Sequence, residues 1–152
     1  GEVPGVLEVD QPLGPDYESG INVKRRVVAL EDLGAQTAKT RFTPIHVGRG
    51  YTLSRVKTET GRQHQIRVHA HWAGFPLVGD KIYGPDPKLY LKFVEEGWNN
   101  DLAERLLLPR QALHCSRIDL TPMGESYVFD SALPEDLRMF CRERMGIDTL
   151  IF

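Results

Sequence analysis

Only two cysteines, Cys115 and Cys141, occur in the 152 residues. That is too few for a disulfide framework and points to a reducing compartment, the cytoplasm. No apolar run approaches the ~20 residues a membrane span needs. The opening GEVPGVLEVD lacks the basic-then-apolar layout of a signal peptide. No internal repeat, low-complexity tract or flexible linker breaks the pattern. What is present, 41% apolar and 26% charged residues, suits one globular domain over 1–152 with its own core.

The net charge of −2 argues against a nucleic-acid binder until the charges are located. Residues 1–23 hold no Lys or Arg and five acids. Residues 24–81 hold eleven basic residues against four acids, a local net charge of +7. Residues 82–152 return to an acidic balance, and four of the five histidines (His46, His64, His69, His71) fall in the basic middle. A local basic stretch is the footprint of phosphate binding; it is equally the composition of a solvated charged face.

The patterning is α+β: a mixed, mainly antiparallel sheet with about four flanking helices. Val6–Val9 reads as an edge strand entering a turn-rich loop through Pro15. Arg25–Leu30 and Thr37–Val47 read as strands. Val47-Gly48-Arg49-Gly50 then turns into alternating Tyr51–Thr58, a hairpin whose Arg55 and Lys57 share one face. Gln63–Ala73 reads as a helix closed by Gly74, with Pro87–Val94 and Asp101–Leu108 as shorter helices beyond it. Ala112–Leu120 and Ser126–Asp130 suggest a second hairpin, and Pro134–Met145 a closing helix with Leu137, Phe140 and Cys141 inward.

Chemistry concentrates in Gly61–His71. On the Gln63–Ala73 helix, His64, Arg67 and His71 share one face, and Ile66, His69, Ala70 and Ala73 another. Metal binding by the histidines fits poorly. Positions 69 and 71 point about 200° apart, and 64 and 69 about 140° apart, so they do not converge on one ion. Arg62 and His64 sit at the helix start, where free N–H groups and the macrodipole favour an anion. An inward-pointing Arg67 needs a carboxylate, because a guanidinium does not shed its charge. That carboxylate is either a catalytic one or a structural partner such as Glu59 or Asp80.

Thr60-Gly61-Arg62-Gln63-His64-Gln65-Ile66-Arg67-Val68-His69 closely resembles the T-G-R-x-H-Q-I-R-V-H signature of RluA-type RNA pseudouridine synthases. The resemblance continues in order through Asp10-Gln11-Pro12-Leu13-Gly14, Thr40-Arg41-Phe42, Gly79-Asp80-Lys81-Ile82-Tyr83-Gly84, Ala112-Leu113-His114-Cys115 and Ala132-Leu133-Pro134-Glu135-Asp136-Leu137. It spans roughly residues 8–140.

The resemblance implies isomerisation of uridine to pseudouridine in ribosomal or transfer RNA, with neither a metal nor an organic cofactor. An aspartate attacks a flipped-out uridine. Arg67 matches the arginine that pairs with that aspartate, and Ile66 and Leu113 match apolar positions of the substrate pocket. Arg62 and His64 match positions near the RNA backbone, and Arg55 and Lys57 are expected to track phosphates. The H-R-L-D-x-x-T-S-G segment that carries the aspartate is absent, as is the family's tyrosine-bearing strand. The expectation is therefore the C-terminal part of a catalytic domain, inactive alone and self-associating through an exposed sheet edge. Its Arg67 would be left without its natural partner. The alternative is an RNA-binding module that does not catalyse.

Overall fold

The computed structural model describes residues 1–147. The chain forms two compact units, Gly1–Gln111 and a second beginning at Ala112. In chain order the first holds β1 (Leu7–Asp10), β2 (Leu13–Pro15), β3 (Arg25–Val27), β4 (Lys39–Gly48), β5 (Tyr51–Thr58), α1 (Gln65–Trp72), α2 (Lys88–Glu96) and α3 (Asn100–Leu106). The second holds β6 (Arg117–Asp119), β7 (Val128–Asp130) and α4 (Glu135–Phe140). Every described strand pairing is antiparallel, and the α+β class stands.

The frame of the first unit is a three-stranded sheet in the order β1-β4-β5. Arg49 and Gly50 both take positive φ, 54° and 81°, between the paired residues Gly48 and Tyr51. Two successive positive φ values match the right-handed twist of the flanking strands, which is why this tight turn closes the hairpin. The register slips between Pro44 and His46. Pro44 lies beside that bulge and beyond the reach of β1, where its missing N–H costs least.

Register decides what each face of the sheet does. Leu7, Phe42 and Val56 lie side by side and pack with Val9 against Ala70 and Ile66 of α1. Their alternate neighbours Glu8, Arg41 and Lys57, also side by side, therefore stand on the face away from α1. A second cluster of Leu13, Ala38, Val68, Ile82 and Tyr83 joins β2 and α1 to the segment after it. Leu89, Leu102 and Leu106 form a third between α2 and α3.

Several boundaries differ from the sequence reading. Residues 13–15 are a strand rather than a loop: Leu13, Gly14 and Pro15 pair with Val27, Arg26 and Arg25, a contact that no local pattern announces. The α1 helix begins at Gln65, not Gln63, because His64 adopts a left-handed φ of 59°. The α3 helix is capped by Asn99, whose side chain accepts the Leu102 N–H. It stops at Leu106, before Leu107 at φ 68°. In the second unit the strand expected over Ala112–Leu120 shortens to Arg117–Asp119. The closing helix changes at Cys141 into a π-helical turn through Met145. Leu137, Cys141 and Met145, spaced four apart, are buried, while Phe140 is only half-buried.

Candidate active site

The Thr60–His69 segment works first as a polar joint between helix and sheet. Gln65 is 4% exposed, and its carboxamide is fully engaged. Its Oε1 accepts from Thr60 Oγ1 at 2.7 Å and the Arg62 N–H at 3.0 Å. Its Nε2 donates to the Lys39 carbonyl at 2.9 Å and to Thr40 Oγ1 at 3.0 Å. One turn on, His69 is fully buried, with Nε2 3.0 Å from the Gln11 carbonyl and Nδ1 2.8 Å from Thr40 Oγ1. A carbonyl only accepts, so Nε2 carries the hydrogen and Nδ1 accepts from Thr40. Burial holds His69 below the usual imidazole range, the Gln11 contact opposing. This neutral network ties β4, the loop after β1 and α1 together with every polar group satisfied.

The opposite face of α1 closes around Tyr83. His64 Nδ1 lies 2.9 Å from the Tyr83 hydroxyl, and His71 Nδ1 donates to the Tyr83 carbonyl at 2.8 Å. The Arg67 guanidinium lies 4.9 Å from the Tyr83 ring centre, a cation–π contact. The Tyr83 hydroxyl also accepts the Arg25 N–H at 2.8 Å, which directs its own proton to His64. Burial pushes the Tyr83 hydroxyl up to about 12. Burial and the nearby Arg67 cation hold His64 below its ordinary value, so this pair is neutral at physiological pH.

Arg67 is not left unpaired. Its Nε donates to Asp80 Oδ2 at 2.7 Å and its Nη2 to Asp80 Oδ1 at 2.8 Å, the side-on geometry that matches guanidinium to carboxylate. Asp80 is fully buried and Arg67 is 12% exposed at its side chain. The backbone N–H groups of Ile82 and Tyr83 also donate to Asp80 Oδ1, at 3.0 and 2.9 Å. Burial alone would raise the Asp80 carboxyl; the Arg67 and backbone hydrogen bonds outweigh it and hold the group below its ordinary value.

The tight turn requires both its glycines. A Cβ on Gly84 would meet the Asp80 carbonyl at 2.1 Å, and one on Gly79, at φ 75°, the Arg110 carbonyl at 2.0 Å. Lys81 projects over the rings of Phe93 and Trp98, at 4.5 and 5.3 Å, and donates to the Pro109 carbonyl. Asp80, sealed and saturated, is an anion that holds Arg67 rather than a nucleophile. The Nη1 edge of Arg67, by contrast, makes no hydrogen bond among the described residues.

No family model matches the chain. Ribosomal large subunit pseudouridine synthase D of Pseudomonas aeruginosa is 36% identical over 131 residues, 84% of this chain and 38% of that protein. The protein of the same name from Nitrosomonas europaea is 35% identical over 134 residues, 85% of this chain and 34% of its own. An uncharacterized RNA pseudouridine synthase of Chloroflexus aurantiacus is 31% identical over 145 residues, 94% of this chain and 39% of that protein.

The chain belongs to the RNA pseudouridine synthase family.

It spans less than two-fifths of the length of these three relatives. The structure of human RNA pseudouridylate synthase domain containing 4 shares the fold, with a TM-score of 0.63 at 21% identity over 97% of this chain and 59% of that one.

Within this sequence the expected site residues separate into groups. Arg62, His64 and Arg67 lie at or near the start of α1. Arg62 donates from Nε to the Thr37 carbonyl at 3.0 Å, and His64 is the left-handed residue just before the helix rather than a residue inside it. Ile66 is half-buried and packs on the Val9–Phe42–Ala70 cluster. Arg55 and Lys57 are exposed on β5, on the sheet face away from α1, so they do not join the Arg67 group. Leu113 is half-buried in the second unit. Sequence reasoning gave no role to Tyr83 or Gln65, and named Asp80 only as one of two structural partners for Arg67. The signal for Gln65 was its i, i+4 spacing to His69 on the helix's inward face.

Proposed function

We propose that these 152 residues serve an enzyme that isomerises uridine to pseudouridine in ribosomal or transfer RNA in the cytoplasm. The observation that carries this reading is the match to pseudouridine synthases over 84–94% of the chain. The nucleophilic aspartate comes from outside these residues, since His-Arg-Leu-Asp occurs nowhere in them. Arg67, fixed by Asp80 and Tyr83, turns its remaining guanidinium edge to that carboxylate and keeps it ionised and oriented. The aspartate carboxylate attacks C1′ of a uridine flipped from its stack, forming a sugar ester as the C1′–N1 bond breaks. The freed base rotates, its C5 bonds to C1′ and expels the carboxylate, and the C5 proton is lost while N1 gains one.

Ile66 supplies apolar contact to the base. Arg62 and His64 contact the RNA backbone at the site, and Arg55 and Lys57 hold phosphates further out. No metal or organic cofactor takes part. The outer edge of β5, which ends the β1-β4-β5 order among the described residues, is the place where two copies of the isolated chain would pair.

The test is RNA isomerisation by the full-length protein containing this sequence. Pseudouridine forms with the unaltered protein and is lost with Arg67→Ala. Full activity in that variant overturns the role of Arg67. Tight RNA binding without any pseudouridine, in the full-length protein, supports a non-catalytic RNA-binding module instead.

A further inference from the structure

A cavity of about 330 Å³ opens between β3 and the C-terminal end of α1. Its walls include Arg25, Arg26, His71, Trp72 and Tyr83, and this volume lies at the small end of ligand pockets, roughly 300–1,000 Å³. The charge on its walls is uncompensated. Lys24 is neutralised by Asp16 at 3.1 Å, but the Arg25 guanidinium has no carboxylate partner among the described residues and donates from Nε and Nη2 to the neutral Gln63 Oε1, at 2.9 and 2.5 Å. Arg26 is exposed and has no carboxylate partner among the described residues. Beside these two cations, Trp72 is 52% exposed, a high value for the largest apolar side chain at the end of a packed helix. His71 gives its Nδ1 hydrogen to the Tyr83 carbonyl. Its Nε2 is therefore an acceptor in the neutral ring and has no partner among the described residues.

Two unneutralised guanidiniums, an exposed indole and a free imidazole acceptor around a one-nucleotide cavity meet the three demands of a nucleotide. The phosphate needs cations, the base needs an aromatic face, and a sugar hydroxyl or base N–H needs an acceptor. We infer that this cavity is a nucleotide subsite in which one base of single-stranded RNA stacks on Trp72 while its phosphate lies against Arg25 and Arg26. The inference rests on the RNA reading above and adds a contact to it. Ile66 does not line this cavity, so the subsite is separate from the place assigned to the target base. It accepts any base, because every base presents a π-face. Its role is to hold RNA beside the Arg67–Tyr83 group, with which it shares Tyr83 and His71.

The test is titration of the full-length protein containing this sequence with single-stranded oligouridylate, following the part of the tryptophan fluorescence that Trp72→Phe removes. Binding is expected to quench Trp72, whereas polyphosphate, which has charge but no bases, leaves Trp72 emission largely unchanged. Trp72→Ala lowers affinity roughly 5- to 150-fold, the range for loss of one stacked base, and Trp72→Phe restores most of it. Arg26→Ala flattens the log–log salt dependence by about 0.7. Undiminished affinity in Trp72→Ala, with weakened binding in an Arg55→Ala/Lys57→Ala double variant, overturns this subsite and leaves the RNA reading standing. No binding by the unaltered full-length protein overturns both.

Discussion

Arg67 on α1 and Arg55 on β5 carry the same guanidinium into opposite surroundings. Arg67 is nearly buried, locked side-on to a sealed carboxylate and laid against a tyrosine ring. Arg55 stands in solvent with Lys57, on a sheet face where the neighbouring Arg41 is already taken by Glu8 at 2.9 Å. The difference lies in what each charge costs if its surroundings change. A desolvated pair is held by geometry and is expensive to break, while an exposed cation is loosely held, screened by salt and free to exchange water for phosphate. A fixed charge suits positioning of a reacting group, and a mobile one suits capture of a polyanion.

Substitutions that break this contrast are expected to rank in order. Asp80→Asn leaves Arg67 buried without its counter-charge and is expected to cost about 3–5 kcal/mol in denaturant unfolding. Gly84→Ala pushes a methyl group into the Asp80 carbonyl and is expected to cost about 1–3 kcal/mol by the same measurement. A smaller effect comes from pH. His69 and His64 are held below the ordinary imidazole value of 6.5, so below that pH the unfolded chain binds protons that the folded chain refuses. Stability therefore falls as pH drops through 6.5 and is regained on return to neutral pH. Chemical unfolding across that range checks it, and a flat profile contradicts neutral burial of His69. Smallest of all, Arg55→Ala and Lys57→Ala are expected to shift stability by no more than about 0.5 kcal/mol each. Their effect appears instead in RNA affinity and its salt dependence.

The contrast was only half legible in the sequence. Alternation along Tyr51–Thr58 and the Gly48-Arg49-Gly50 turn made the hairpin and the shared face of Arg55 and Lys57 readable, since both are local patterns. Helical spacing also grouped His64, Arg67 and His71 correctly, and all three meet at Tyr83. What it did not show is that Tyr83 is the meeting point, or that Asp80 rather than Glu59 takes Arg67. Both depend on the turn between Gly79 and Gly84 folding back against α1, and Glu59 instead pairs with Lys39 at 3.2 Å. The β2 strand escaped notice for a related reason: three residues containing Gly and Pro have little intrinsic strand preference, and only their pairing with β3 makes them one. The placement of Arg55 and Lys57 away from α1 follows from strand register, which becomes known only when the core-facing row Leu7–Phe42–Val56 is known.

The most direct measurement is single-turnover formation of pseudouridine by the full-length protein, comparing Arg67→Lys with the Arg55→Ala/Lys57→Ala double variant. Lysine keeps the charge at position 67 but not the planar fork that binds two carboxylates at once. Arg67→Lys is expected to bind RNA still yet lose conversion at saturating enzyme. The double variant converts at the unaltered rate once saturated and is weakened only in binding. Full-rate conversion by Arg67→Lys, or a lost saturated rate in the double variant, would contradict the division between a positioning Arg67 and RNA-capturing Arg55 and Lys57.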